Sequence, residues 1–301
     1  MPRSVRHALA TTALVLLCLP LVACIETTHG DGIAGFIQQP TPGPIHEIEI
    51  AGALRLDVYV ENTGPGGESG ILIQGDQNLV PLITNVQTGR RLTLSTETYL
   101  ASVNPLRVTV YSPNLEVIAV SRLAEARVRE LAGEWIGIES SGSGKVDLSG
   151  SIEAVEVAAS GSSRVTLDVE SRLLTVSASE RSRIVLGGRV DDIEVAASNR
   201  AQVSGRVDSR VLSIFGDEET SVDLRGRSDE MLLQLEGAAE VQARWLRTRY
   251  GYITSSGESH AEVCVERLLD IEAWDVATVQ YSCLPREVIV AGSETATITE
   301  R

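Results

Sequence analysis

The chain is poor in the residues that usually carry out chemistry. Its 301 residues include four histidines, two methionines, two phenylalanines and three tryptophans. Beyond an N-terminal leader, only His29, His46 and His260 remain. That is too little material for a histidine metal cluster or a Ser-His-Asp triad, and neither a metal nor a cofactor is expected. Asp217, Glu218 and Glu219 follow no calcium-loop pattern and read as a solvated acidic corner. Positive charge is also scarce: 26 Lys and Arg stand against 41 Asp and Glu, a net charge of −15. This balance argues against nucleic acid or anionic lipid as partners. After the first two dozen residues, no apolar run is long enough to cross a bilayer.

The N-terminus is informative. Arg3 and Arg6 precede an apolar stretch, Ala8 to Leu19, that is too short and too early for an ordinary membrane span. It leads into Leu21 to Cys24, "LVAC", which resembles a bacterial lipobox. Residues 1–23 are therefore expected to form a lipoprotein signal peptide, with Cys24 acylated and the mature chain held to a membrane by lipid. Ile25 stands where Asp often marks inner-membrane retention, so the outer membrane or cell surface is the expected destination. Residues 24–44 carry Gly, Pro and polar side chains and read as a tether. Losing Arg3 and Arg6 leaves 24 basic residues against 41 acidic ones, a net charge of −17.

The rest of the chain repeats. Val155, Leu174, Ile193, Leu212 and Met231 stand 19 residues apart; Gly251 follows after 20, Leu269 after 18 and Val288 after 19. Ten residues beyond each of these stand Val165, Ile184, Val203, Val222, Val241, Ala261, Val279 and Ile298. Ile136 and Val117 extend the series backwards. Within each unit the apolar residues alternate, as in Val155 and Val157, then Val165 and Leu167. That is strand periodicity with β-branched enrichment. Units of this length cannot hold a strand and a helix, and they show no helical stripe. They suit coils of short strands stacked in parallel, which makes an all-β parallel β-helix with coils of about 19 residues over 115–301. Residues 45–114 contain strand-like runs without the period and read as a less regular β-region that begins or caps the stack.

The segments "IEIAGALRLDVYVEN", "LVPLITNVQTGRRLTLS", "LRVTVYSPNLEVIAVS" and "VEVAASGSSRVTLDV" resemble the auto-transporter adhesin head GIN-domain family. The resemblance covers nearly all of 45–301. It implies a bacterial exported protein, a right-handed β-helix and an adhesive role, and it supplies no catalytic motif.

Parallel stacking brings residues one period apart together. One row then reads Glu170, Arg189, Asp208, Arg227, and a second reads Arg172, Asp191, Arg210, Asp229. Signs alternate along both rows. The rows are read as structural, because alternation cancels the net field while a slip by one coil would bring like charges together. Ser141, Ser160, Ser179 and Ser198 form a corner column whose hydroxyls are expected to bond along the axis. Cys264 and Cys283 also lie 19 residues apart. One coil separates Cα atoms by about 5 Å, so a disulfide is expected in an exported chain.

The function that follows is a non-enzymatic, lipid-anchored envelope protein displaying a rigid solenoid to a surface protein or glycan. Two alternatives remain: a carbohydrate-binding or carbohydrate-cleaving β-helix, and a self-stacking envelope scaffold. Tyr250, Tyr252 and Trp274 are the candidate glycan contacts. Oligomeric state is open.

Overall fold

The computed structural model describes residues 27–52, 57–61, 69–112 and 114–301. The signal peptide and Cys24 lie outside the described residues.

Strands Lys145–Ala159, Arg164–Ala178, Arg183–Ala197, Gln202–Gly216 and Ser221–Leu235 are each 15 residues long. Each pairs in parallel with the next. Four residues separate consecutive strands, so one bent strand and one corner make the 19-residue period. The result is a β-solenoid of about 10 turns. Its interior holds the apolar series read from the sequence as far as Leu269: Val155, Leu174, Ile193, Leu212 and Met231 are at most 2% exposed. Val288, expected inward on the last coil, is instead 37% exposed, because among the described residues Glu287–Gly292 pairs on one side only, with His260–Ala273. Each such side chain contributes roughly 1.5–3 kcal/mol on burial.

The corners are alike. The second residue of each has positive φ: Arg122, Gly142, Gly161, Glu180, Asn199, Glu218, Gly237, Gly257 and Asp275. A left-handed residue turns the chain sharply enough for the fourth N–H to reach the first carbonyl, as in Gly144 to Ser141 at 3.0 Å and Ser182 to Ser179 at 3.2 Å. The strands bend again near their midpoints, and there the packing alternates between coils. Gly150, Gly188 and Gly226 have φ of 156°, 94° and 120°. A Cβ on any of them would lie 2.0–2.1 Å from a carbonyl oxygen of the coil before, on Leu131, Val169 and Val207 respectively. Coils with valine at that level, Val169 and Val207, bury it, and the glycine coils 150 and 188 bury Ile152 and Val190 two residues later. The packing unit is therefore a pair of coils.

The 20-then-18 spacing lies in the strands. Glu240–Ser255 has 16 residues and His260–Ala273 has 14, while their corners keep four. Asp223 pairs with Gln242 but Arg225 with Trp245, which leaves a β-bulge between them.

Two sequence expectations change at the N-terminal end. Val117 pairs with Gly137 and is only partly buried, whereas Ile118 pairs with Ile138 and is 1% exposed. That coil has 20 residues, so the inward position is Ile118. Within the expected tether, Thr27–His29 pairs with Tyr99–Ala101, and Ala34–Pro40 pairs antiparallel with Gly70–Asp76. Apolar Ile37 packs against the core and draws this segment onto the domain. Asp76 pins the neighbouring loop, accepting hydrogen bonds from Val103 N at 2.7 Å and Asn104 Nδ2 at 2.6 Å. Burial works to raise its pKa, but these donors, with those of the Asn104 and Gly32 backbones, hold the carboxyl below its ordinary value.

The β-region of residues 45–114 joins the stack out of sequence order. Glu47–Ala51 lies between Val117–Val120 and Arg91–Ser95, and Thr84–Thr88 adds antiparallel to the last. Ala34–Pro40, Gly70–Asp76, Arg107–Tyr111 and Asp57–Glu61 form a separate four-stranded sheet.

Candidate binding surface

Among the described residues, no three His, Cys, Asp or Glu side chains gather as metal ligands, and no helix is long and apolar enough to cross a membrane. His260 is partly exposed, 3.7 Å from Glu262. Asp217, Glu218 and Glu219 stay exposed on one corner.

An open groove of about 770 Å³ runs along one corner of the stack. Ala158, Ser177 and Ala196 form its floor, because small side chains at that level leave room over three coils. Glu139 stands toward one end, Phe215 and Glu236 toward the other. The corner serines line it, but they do not form a hydroxyl ladder. Their backbone N–H groups bond to the previous coil, Ser160 to Ser140 O at 2.9 Å and Ser198 to Ala178 O at 3.0 Å. The Ser179 hydroxyl reaches the Ala159 carbonyl at 3.4 Å. The groove can exchange hydrogen bonds with a neutral polar ligand, and no basic side chain lines it.

Glu170, Arg189, Asp208 and Arg227 are ladder partners in sequence. Among the described residues none of them comes within 4.0 Å of its neighbour as an ion pair. In the second row Arg172 meets Glu153 at 3.3 Å, and Arg249 meets Asp229 at 2.9 Å. Arg210 turns to Asp192 at 2.7 Å rather than to Asp191. Asp192 is the closer acid because it sits beside the buried Ile193, where the strand holds it only partly exposed.

Tyr250 and Tyr252 face outward on either side of the buried Gly251. Trp274 opens the next corner, four residues beyond Asp270, the ladder partner of Tyr252. At about 3.3 Å per residue that is roughly 13 Å along the strand, so the three do not make one platform.

Cys264 and Cys283 are joined as a disulfide, with Cα atoms 5.2 Å apart. The ladder partner of Cys264 is Ser282, and the chain leaves the strand at Cys283 with φ of 75°. That turn supplies the one-residue offset between the two cysteines.

One cluster had no counterpart in the sequence reading. Arg206 is the ladder partner of Arg225, Arg225 of Trp245, and Arg227 of Arg247. Two like charges on neighbouring strands repel by about 1 kcal/mol in water. The signal was "RGR" at 225–227 and "RWLR" at 244–247, which align once the 20-residue step is applied.

The family described as "Putative auto-transporter adhesin, head GIN domain" matches residues 46–184 and 164–285. The chain belongs to this GIN-domain family. No curated protein matches. Among solved structures, a "putative adhesin" from Parabacteroides merdae ATCC 43184 is 15% identical, with a TM-score of 0.49 over 92% of this chain and 99% of that one. A second, from Parabacteroides distasonis ATCC 8503, is 16% identical, with a TM-score of 0.48 over 92% and 100%. A "putative lipid binding protein" from the same strain is 12% identical, with a TM-score of 0.45 over the same shares. Membership of an adhesin family supports a non-enzymatic, adhesion-like role at the cell surface or envelope.

Proposed function

We propose that this GIN-domain protein is a lipid-anchored, non-enzymatic envelope protein whose solenoid presents a rigid surface to a protein or glycan outside the cell. The observation that carries this reading is the uniformity of the coils. Every corner from residue 121 to residue 277 has four residues, so none carries an inserted loop that could wall a substrate cleft. Stacked parallel strands with short corners are stiff, and stiffness favours display, because little conformational freedom is lost on contact. The lipobox-like "LVAC" supports an anchor at Cys24, and Ile25 supports delivery to the outer membrane or surface.

Two measurements test the reading. Cys24→Ser should move the protein from the membrane fraction to the soluble one; retention as firm as wild type would overturn the anchor. Cells displaying the full chain should attach to protein- or glycan-coated surfaces better than cells lacking it, without shortening the glycan. Release of shorter saccharides would favour the cleaving alternative instead.

A further inference from the structure

The bulge in strand Glu240–Ser255 opens a cleft. On the side of the next coil, Ala243 pairs with Val263 and Arg247 with Cys264, so Arg244, Trp245 and Leu246 have no ladder partner there. Leu246 turns inward and is buried, while Trp245 turns outward and is 62% exposed. The cleft beside it has a volume of about 580 Å³, is lined by Arg206, Arg225, Arg227, Arg244 and Arg247, and ends at the disulfide.

Three of these guanidinium groups already face acids: Arg225 with Asp223 at 3.4 Å, Arg247 with Glu266 at 2.9 Å and Arg244 with Glu262 at 3.8 Å. Arg206 and Arg227 form no ion pair among the described residues. Both are exposed, and Gly226 beside Arg227 adds no side chain to fill the space. Arg244 lies over one side of the Trp245 ring, 5.4 Å from its centre. The cluster therefore combines spare planar donors, an aromatic face and a concave floor.

We propose that this cleft binds a carboxylate-bearing saccharide, a uronic-acid glycan. Arg206 and Arg227 take the carboxylate through paired N–H donors, and Trp245 packs against the apolar face of the sugar ring. The class follows from charge as well as shape. The whole chain is strongly acidic, so its long-range field repels densely charged polymers such as nucleic acid. A uronic-acid glycan, with one carboxylate per sugar, is less densely charged than duplex nucleic acid, meets less of that repulsion and gains from contacts made inside the cleft. The assignment rests on the adhesive reading above, since it names the ligand of a displayed surface.

Calorimetric titration of the soluble 25–301 chain with oligogalacturonate tests it, with a neutral galacto-oligosaccharide of equal length as the comparison. The acidic oligomer should bind at least about tenfold more tightly, and more weakly as salt rises. Arg206→Gln with Arg227→Gln should weaken binding by about tenfold or more, and Trp245→Ala by several-fold. Arg172→Gln with Arg210→Gln, which removes an equal charge elsewhere on the stack, should leave it unchanged. Equal affinity for both oligomers, no measurable binding, or indifference to the Arg206 and Arg227 changes in a variant with wild-type melting would overturn the proposal. So would equally tight binding of duplex DNA that ignores Trp245→Ala. Failure here with intact cell attachment would sink the cleft assignment and leave the adhesive reading standing, whereas loss of attachment would sink that reading.

Discussion

The five coils from Lys145 to Leu235 and the two that follow share the same corner but treat their mid-strand bend differently. In the regular coils, glycine and valine alternate at the bend, and every paired residue meets its counterpart 19 positions away. In the later coils one residue is added and the next coil is short, which turns Trp245 outward and brings Arg247 beside Arg227. Regularity stabilises the stack and makes its surface monotonous; a single bulge creates a distinct place on it. The price is local stability, and the disulfide lies where it offsets that cost.

The largest effect should come from forcing a side chain into the regular region. In Gly188→Val the new Cβ would overlap the Val169 carbonyl, at a φ that β-branched residues avoid. A loss on the order of 4 kcal/mol is expected from strain and overpacking together. Thermal melting reads it, and a wild-type midpoint would show that coils of either size fit that bend.

Next in size is the irregular region. Cys283→Ser opens a loop of about 19 residues and should cost about 3 kcal/mol in the chain-entropy model. Hydrogen exchange should rise in Thr278–Ser282 and beyond while Arg164–Ala178 stays protected. Uniform exchange along the stack would mean that the two regions unfold together.

The smallest effect tests the charge rows. Arg210→Glu sets a carboxylate beside Asp192 and in line with Asp191 and Asp229, and should cost about 1 kcal/mol or less, diminishing in high salt. The same change at Arg206 should be neutral or stabilising, because it relieves the repulsion from Arg225. If both respond alike, the contrast between an alternating surface and a like-charged cleft has no energetic content.

Much of this was legible because a repeat converts sequence spacing into spatial neighbourhood. The inward series from Ile136 to Leu269, the 20-then-18 step and the pairing of Cys264 with Cys283 all follow from counting, whereas Val117 and Val288 at the two ends of the series do not point inward. What counting missed has physical reasons. Glu47–Ala51 slots between Arg91–Ser95 and Val117–Val120, a long-range pairing that no period announces. Thr27–His29 and Ala34–Pro40 look like linker because their composition is polar, yet backbone pairing and Ile37 hold them to the domain. Arg210 chooses Asp192 over Asp191 because strand alignment fixes backbones and leaves long side chains free to reach the nearer acid. Trp245 could be counted as a tryptophan, but the direction it faces depends on which residue the bulge leaves unpaired.

The alternation of glycine and valine at the bend, with signs alternating in step, makes the length of this molecule a quantised property. Removing one coil would set valine over valine or glycine over glycine, and like charge over like charge, whereas removing or inserting two restores the alternation. From Val117–Val120 to Glu240–Ser255 there are seven strand steps, roughly 34 Å at about 4.8 Å each. Lineages that change the height of the cleft above the start of the stack should do so in units of 38 residues, about 10 Å at a time, and keep its residues unaltered.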